Sequence, residues 1–365
     1  MNQEVHRTIT LTLTHSCNLS CLYCYESGKS PQKMSFETAK EIIDDELNRE
    51  DYSYVEIDLF GGEPFLEFEL INRLYDYVSS KDWKQDYLFF AVTNGTLVHD
   101  KIQEWLRERR DSFICGLSYD GSPQMQDINR SNSADAVDLT FFQELYPDQP
   151  IKMTISEQSL KTLADGVEYL YRYGFKDVSC NLAYGIDWTN PQNERILSEE
   201  LMKLIDFFIA NPEYKPCSLL DMGIGTSVKE QPLYRFCGAG INMAAYDVDG
   251  TSYPCQMFMP MTSGAEKASK SHGLKFYENT IPEECIDEKC KDCIIKSSCP
   301  TCYGANYVAF GNIYKHADDY CKLVKTIMKA RSFFKGLQWE KGQLNLNDNE
   351  KHTLFNNILR IQENL

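Results

Sequence analysis

The chain has 365 residues, 42% hydrophobic and 12% aromatic, enough apolar mass for one large or two moderate domains and too much for a disordered chain. Its formal charge of −17, from 37 basic and 54 acidic residues, argues against a nucleic-acid partner, because that binding neutralises phosphates with basic side chains. The first sixteen residues carry no basic-then-apolar leader and no run approaches membrane-span length, so the expectation is a cytoplasmic protein without a membrane partner.

Six β-branched, aromatic or apolar runs predict strands at 8–13, 54–60, 87–92, 113–118, 151–155 and 178–183. Helical patterns follow at 35–48, 69–79, 100–109, 139–145, 160–173 and 198–210, with Ser35 as a start signal and Gly174 as a stop. Strands alternating with helices imply a parallel sheet with right-handed crossovers, and ligands gather at the C-terminal ends of such strands. Polar and glycine-rich segments stand at those ends: Cys17 onward, Gly61-Gly62-Glu63-Pro64, Thr93-Asn94-Gly95 and Asp120-Gly121. Beyond about residue 215 the alternation stops. An Asp-Gly turn predicts a hairpin at 246–253, then come cysteine-rich loops, a helix at about 318–336 and an amphipathic stretch near 353–361.

Fourteen cysteines without an export signal point to metal or redox chemistry, since the cytosol keeps thiols reduced. Three of them form Cys17-Asn-Leu-Ser-Cys21-Leu-Tyr-Cys24, a C-x3-C-x2-C loop. A [4Fe–4S] cluster ordinarily takes four thiolates, so three leave one iron open to chelate a small molecule. The alternative is structural zinc, which needs four protein ligands, with His15 the only further donor close by.

The triplet after a first strand, with Tyr23 before its last cysteine, resembles the radical S-adenosylmethionine superfamily. Gly61-Gly62-Glu63-Pro64 is similar to that family's motif for the methionine amino group, and Thr93-Asn94-Gly95-Thr96-Leu97 to its third-strand terminus. Ser118-Tyr119-Asp120-Gly121 with Arg130 resembles its Ser-Leu-Asp-Gly segment, although Tyr119 replaces the usual Leu and Ser122 is an insertion. The resemblance implies a partial (β/α)6 TIM-type barrel over residues 1–215 and S-adenosylmethionine contacts from Tyr23, Gly61, Gly62, Glu63, Pro64, Thr93, Asn94, Ser118 and Arg130. It also implies reductive cleavage of S-adenosylmethionine to a 5′-deoxyadenosyl radical. It assigns no catalytic acid or base.

Cys237, Gly250 and Cys255, then Cys290-x2-Cys293-x5-Cys299-x2-Cys302 and Cys321, resemble the SPASM domain, with two residues rather than three between Cys299 and Cys302. The resemblance implies a small cysteine-rich α+β domain over 216–330, with a β-hairpin and a C-terminal helix, ahead of a helical tail at 331–365. By the same resemblance Cys237, Cys255 and Cys302 bind auxiliary [4Fe–4S] cluster I, with Cys217, Cys285 or an open site as the fourth ligand. Cys290, Cys293, Cys299 and Cys321 bind cluster II. Zinc suits the C-x2-C pairs as well. Cys115 and Cys180, inside predicted strands, read as core residues.

Both halves together are similar to the peptide-modifying branch of the superfamily. The implied activity is cross-linking of a ribosomally made precursor peptide through a C–C or C–S bond. An electron donor such as flavodoxin or ferredoxin is implied too. With sixteen residues before Cys17, the precursor's leader is expected to bind the barrel or a separate recognition protein. The alternative within the family is an anaerobic sulfatase-maturing enzyme making formylglycine. In that group an Asp follows the cysteine matching Cys255, where this chain has Gln256, an amide that takes up no proton. The alternative of another class is a non-catalytic iron–sulfur or zinc-binding protein, which needs no cofactor-sized barrel.

Overall fold

A computed structural model describes residues 6–221 and 235–365. The architecture is α/β, with eight strands among the described residues: β1 (His6–Thr14), β2 (Tyr54–Gly61), β3 (Asp86–Thr93), β4 (Phe113–Leu117), β5 (Ile151–Ile155), β6 (Val178–Leu182), β7 (Met243–Tyr246) and β8 (Ser252–Tyr253). Seven helices alternate with the first six: α1 (Phe36–Leu47), α2 (Phe68–Ser79), α3 (Asp100–Glu108), α4 (Pro123–Asn129), α5 (Leu139–Leu145), α6 (Leu163–Tyr173) and α7 (Asn193–Ala210). Short α8 (Pro260–Ser263), α9 (Ala265–Ser271) and α10 (Glu288–Lys291) precede α11 (Tyr303–Phe310), α12 (Asp318–Glu340) and α13 (Asp348–Asn364). Among the described residues, no helix is long and apolar enough to cross a membrane.

The chain folds as two compact units that do not follow its order. The first comprises Met1–Ser118, Arg130–Gln149 and Cys237–Glu278; the second comprises Tyr119–Asn129, Pro150–Phe236 and Asn279–Leu365.

In the first unit β1 to β4 pair side by side in parallel, so their C-terminal ends share one rim. β2 alternates strictly, with Val55, Ile57 and Leu59 buried and Glu56, Asp58 and Phe60 half-buried, as a half-covered strand must. Aromatic rings close the core at the β4 edge, where Trp105 meets Phe113 at 4.9 Å and Phe113 stacks on Phe89 at 5.9 Å. The side chain of Ser35 caps α1 by accepting from the Thr38 N–H at 3.0 Å, which fixes where that helix starts. The expected hairpin is present, its turn made by Gly250 at φ +86°, a conformation that favours glycine. Its first strand, β7, also joins β1 in parallel, from Thr8↔Met243 to Leu11↔Tyr246, and makes the sheet six-stranded. A buried ion pair secures that junction: Arg7 donates twice to Glu46 of α1, and the Tyr246 hydroxyl donates to the same carboxylate.

The second unit holds the parallel pair β5–β6, in register from Ile151↔Val178 to Ile155↔Leu182. The expected helix over 160–173 is a short 3-10 turn at Leu160–Thr162 running into α6, stopped by Gly174 at φ +120°. α6 buries Leu163, Val167, Leu170 and Tyr171, each worth about 1.5–3 kcal/mol. Phe208 of α7 meets Phe334 of α12 at 6.3 Å, and Arg331 of α12 donates to the carbonyls of Ser218 and Leu219. A capping box at Asn347 and Glu350 starts α13, which is longer than the stretch at 353–361 suggested.

Candidate functional site

The site is built at the common rim of the first unit. β1 ends at Thr14, and the backbone beyond it runs against the Gly61-Gly62-Glu63 segment at the end of β2. Gly62 N–H donates to Thr14 O and Glu63 N–H to Ser16 O, both at 3.0 Å. A Cβ on Gly61 would stand 2.5 Å from Thr14 O, and Gly61 has φ +151°. A Cβ on Gly62 would stand 2.4 Å from Ser16 O and 2.9 Å from Cys17 Cβ. Gly61 is therefore dictated by the end of β1, and Gly62 by the closeness of the cysteine loop.

Glu63 is fully buried and fastens this segment to β3. Its carboxylate accepts from Thr93 Oγ1 at 2.7 Å, Asn94 N–H at 2.8 Å and Phe65 N–H at 3.2 Å. Burial nevertheless dominates and pushes the carboxyl up to about 7. Pro64 begins the 3-10 turn Pro64–Glu67 that leads into α2.

The cysteine loop is tied to the same strand end. Asn18 donates to Thr96 Oγ1 at 2.7 Å and accepts from Asn94 Nδ2 at 2.9 Å. Cys24 N–H donates to Cys21 O at 3.2 Å, and the Cys17 sulfur accepts from Leu19 N–H at 3.4 Å. Burial raises the Cys17 thiol, a cost that a coordinated cation would offset. Ser20 N–H donates to Ser131 Oγ at 2.9 Å, and the Arg130 guanidinium lies 5.4 Å from the centre of the Tyr23 ring. Ser118, at the end of β4, donates its N–H to Thr93 O at 2.9 Å. Tyr23, Gly61, Gly62, Glu63, Pro64, Thr93, Asn94, Ser118 and Arg130 thus all stand in one unit with Cys17, Cys21 and Cys24.

Three further residues of this rim carry no signal of their own in the sequence motifs. Asn18 and Thr96 join the cysteine loop to β3. Glu26 lies buried two residues beyond Cys24, its carboxyl pushed up to about 7 by burial and its Oε1 without a hydrogen-bond partner. His15 is engaged elsewhere: its Nε2 lies 2.5 Å from Asp247 Oδ1 at the hairpin and its Nδ1 3.1 Å from Ser30 Oγ.

Cys237 and Cys255 belong to the first unit, where Gly240 N–H donates to Pro254 O at 3.1 Å. Cys302 belongs to the second unit, at the start of α11, with its sulfur accepting from Ala305 N–H at 3.4 Å. Cys290, Cys293, Cys299 and Cys321 line one cavity of about 440 Å³ in the second unit. Burial pushes Cys290 up to about 11 and Cys299 up to about 12, and the neighbouring thiols add to both shifts. Cys285 is half-buried, whereas Cys217 is fully buried. Cys115 and Cys180 lie in the core.

Three thiols in one loop, backed by a glycine backbone with no room for a side chain, fit a [4Fe–4S] cluster with one open iron. A family described as a 4Fe-4S single cluster domain matches residues 7–132. An uncharacterized protein of Methanocaldococcus jannaschii is 32% identical over 48% of this chain and 62% of its own length. The antilisterial bacteriocin subtilosin biosynthesis protein AlbA of Bacillus subtilis is 25% identical over 68% of this chain and 54% of its own. The matches thus span somewhat more than half the length of these two relatives. Among solved structures, native anSMEcpe with bound AdoMet and Kp18Cys peptide has the same fold, with a TM-score of 0.69, 18% identity and coverage of 93% of this chain and 100% of that one.

Fold and cysteine loop together define an α/β protein with three thiols at the rim of a parallel sheet, within the residues that match a 4Fe-4S cluster family. The matched family and the shared fold agree with the resemblance to the radical S-adenosylmethionine superfamily that the cysteine loop carries.

Proposed function

We propose that the protein is a peptide maturase that cleaves S-adenosylmethionine, abstracts hydrogen from a ribosomally made precursor peptide and closes a C–C or C–S cross-link. The observation that carries the reading is the cysteine loop, locked through Asn18 to Asn94 and Thr96 and packed on Gly61 and Gly62. The cluster on Cys17, Cys21 and Cys24, with its S-adenosylmethionine, supplies the radical chemistry. The chain's own residues place and shield that chemistry. Gly61 to Pro64 receive the amino-acid end of the cofactor, and Glu63 holds this segment to Thr93 and Asn94. Tyr23, Ser118 and Arg130 complete the cofactor contacts.

Residues 1–215 form the cofactor-binding module, 216–330 the module for two auxiliary [4Fe–4S] clusters and 331–365 a helical tail. Cys237, Cys255 and Cys302 serve cluster I; Cys290, Cys293, Cys299 and Cys321 serve cluster II. The likeness to AlbA supports a peptide substrate, as does the peptide in the anSMEcpe structure. A flavodoxin or ferredoxin donates the electrons, and the precursor's leader docks on the barrel or on a separate recognition protein.

The formylglycine alternative is disfavoured at Gln256, whose Oε1 is buried without a hydrogen-bond partner and whose amide takes up no proton. The test is anaerobic: reconstituted protein, dithionite and S-adenosylmethionine, with 5′-deoxyadenosine followed beside a Cys17→Ala/Cys21→Ala/Cys24→Ala variant. Cleavage by the parent chain only, with on the order of twelve irons bound, supports the reading. A precursor peptide encoded beside the gene should then lose two hydrogens. Formylglycine formed on a sulfatase peptide would overturn the cross-linking assignment, and zinc without iron would overturn the whole.

A further inference from the structure

The cavity of the second unit contains one imidazole that the cysteine pattern does not explain. His316 reaches the Cys290 sulfur with Nδ1 at 3.8 Å and Thr301 Oγ1 with Nε2 at 3.1 Å. Its backbone is gripped on both sides by the segment that carries Cys290. Asp287, at the N-cap of α10, accepts the His316 N–H at 3.1 Å, and Lys289 Nζ donates to the His316 carbonyl at 2.6 Å. Ring and sulfur are therefore held in one geometry by three independent contacts.

The direction of the bond follows from its partners. Thr301 Oγ1 accepts from Asn306 Nδ2 at 2.9 Å and keeps one hydroxyl hydrogen, which it gives to Nε2 when the His316 ring is neutral. A metal-bound Cys290 is a thiolate with no hydrogen of its own. The hydrogen between ring and sulfur must then sit on Nδ1, in the neutral ring and the imidazolium alike.

We propose that His316 is a positioning residue of the auxiliary cluster held by Cys290, Cys293, Cys299 and Cys321, donating an Nδ1–H hydrogen bond to the Cys290 sulfur that raises this cluster's reduction potential. The inference rests on the auxiliary-cluster reading given above. A hydrogen bond to a ligating sulfur stabilises the reduced, more negative cluster over the oxidised one, which makes the site a better electron acceptor. Thr301 acts one step further out, by fixing which ring nitrogen carries the hydrogen.

The test is an anaerobic redox titration of the reconstituted full chain, followed by electron paramagnetic resonance with iron counted in parallel. His316→Phe should keep the iron and lower the midpoint potential of one cluster. His316→Asn, whose amide N–H stands where Nδ1–H stood, should restore much of it. Thr301→Val, which leaves the histidine in place, should shift it less and in the same direction. Full iron with an unshifted potential in His316→Phe overturns this proposal alone, and loss of iron in both histidine variants overturns it by making the ring a ligand. Iron unchanged in Cys290→Ala/Cys293→Ala overturns the cluster reading, and this proposal with it.

Discussion

Replacing Glu63 by alanine removes one acceptor from three donors at once. Thr93 O–H, Asn94 N–H and Phe65 N–H all point at its carboxylate inside a site closed to solvent. A buried donor left without an acceptor costs about 1–3 kcal/mol, so Glu63→Ala should lose about 3–6 kcal/mol once water entering the cavity has recovered part. Glu63→Gln keeps Oε1 for Thr93 and Phe65 and turns an N–H toward Asn94 N–H, for a loss of about 1–3 kcal/mol. Urea unfolding of the anaerobic protein, followed by circular dichroism, reads both. The pH dependence has a definite sign. Burial pushes this carboxyl from its ordinary 4.5 to about 7, so its stabilising contribution is whole below 4.5 and lost as pH rises to 7. That loss is on the order of 3 kcal/mol. Glu63→Gln lacks this slope, so its deficit should be widest in acid and narrow above neutrality. A Glu63→Ala protein within about 1 kcal/mol of the parent at every pH would refute the fastening role.

Gly62→Ala puts a methyl group 2.4 Å from Ser16 O, so the cysteine loop must shift; S-adenosylmethionine cleavage should fall about a hundredfold while circular dichroism stays unchanged. Glu46→Gln leaves Arg7 buried against a neutral amide and should cost about 3–5 kcal/mol in the same unfolding assay. Burial alone would raise Glu46, but the hydrogen bonds from Arg7 and Tyr246 outweigh it and hold it below the usual carboxylate range. Its stabilisation is therefore present above pH 4.5 and fades as pH falls through the lowered value, a slope absent from Glu46→Gln. Asn347→Ala should cost about 1 kcal/mol and fray the start of α13, measurable by hydrogen exchange.

Local chemistry wrote much of this fold into the sequence. β5 and α5 match their predicted limits, because turns bound a short apolar run in one and Asp138 caps the other. α4 has no such signal: seven residues whose buried positions are Met125, Gln126 and Asn129 give no apolar stripe. α7 begins at Asn193, five residues before the expected start, with no side-chain cap at Gln192 to announce it. The motif glycines were legible from their type, but the reason for them was not. The proximity of Ser16 to Gly62 is a tertiary fact, as are the bonds from Asn18 to Asn94 and Thr96. The β1–β7 pairing lay beyond any local pattern, since its partners are more than two hundred residues apart.

That pairing has a consequence for how the protein is made. On the ribosome, β1 gains β2 soon after both emerge, but its other edge stays open until Met243 to Tyr246 have been translated. At ~5–20 residues per second the wait is roughly ten to fifty seconds. Throughout it, a strand that alternates threonine with Ile9, Leu11 and Leu13 presents unpaired backbone groups to any neighbouring chain. The cysteine loop waits as well, because the Asp247 that engages His15 arrives only with the hairpin. Iron delivered before that moment would meet a loop still lacking this anchor, so cluster loading should follow translation of the hairpin, and slow or truncated translation would favour aggregation over assembly.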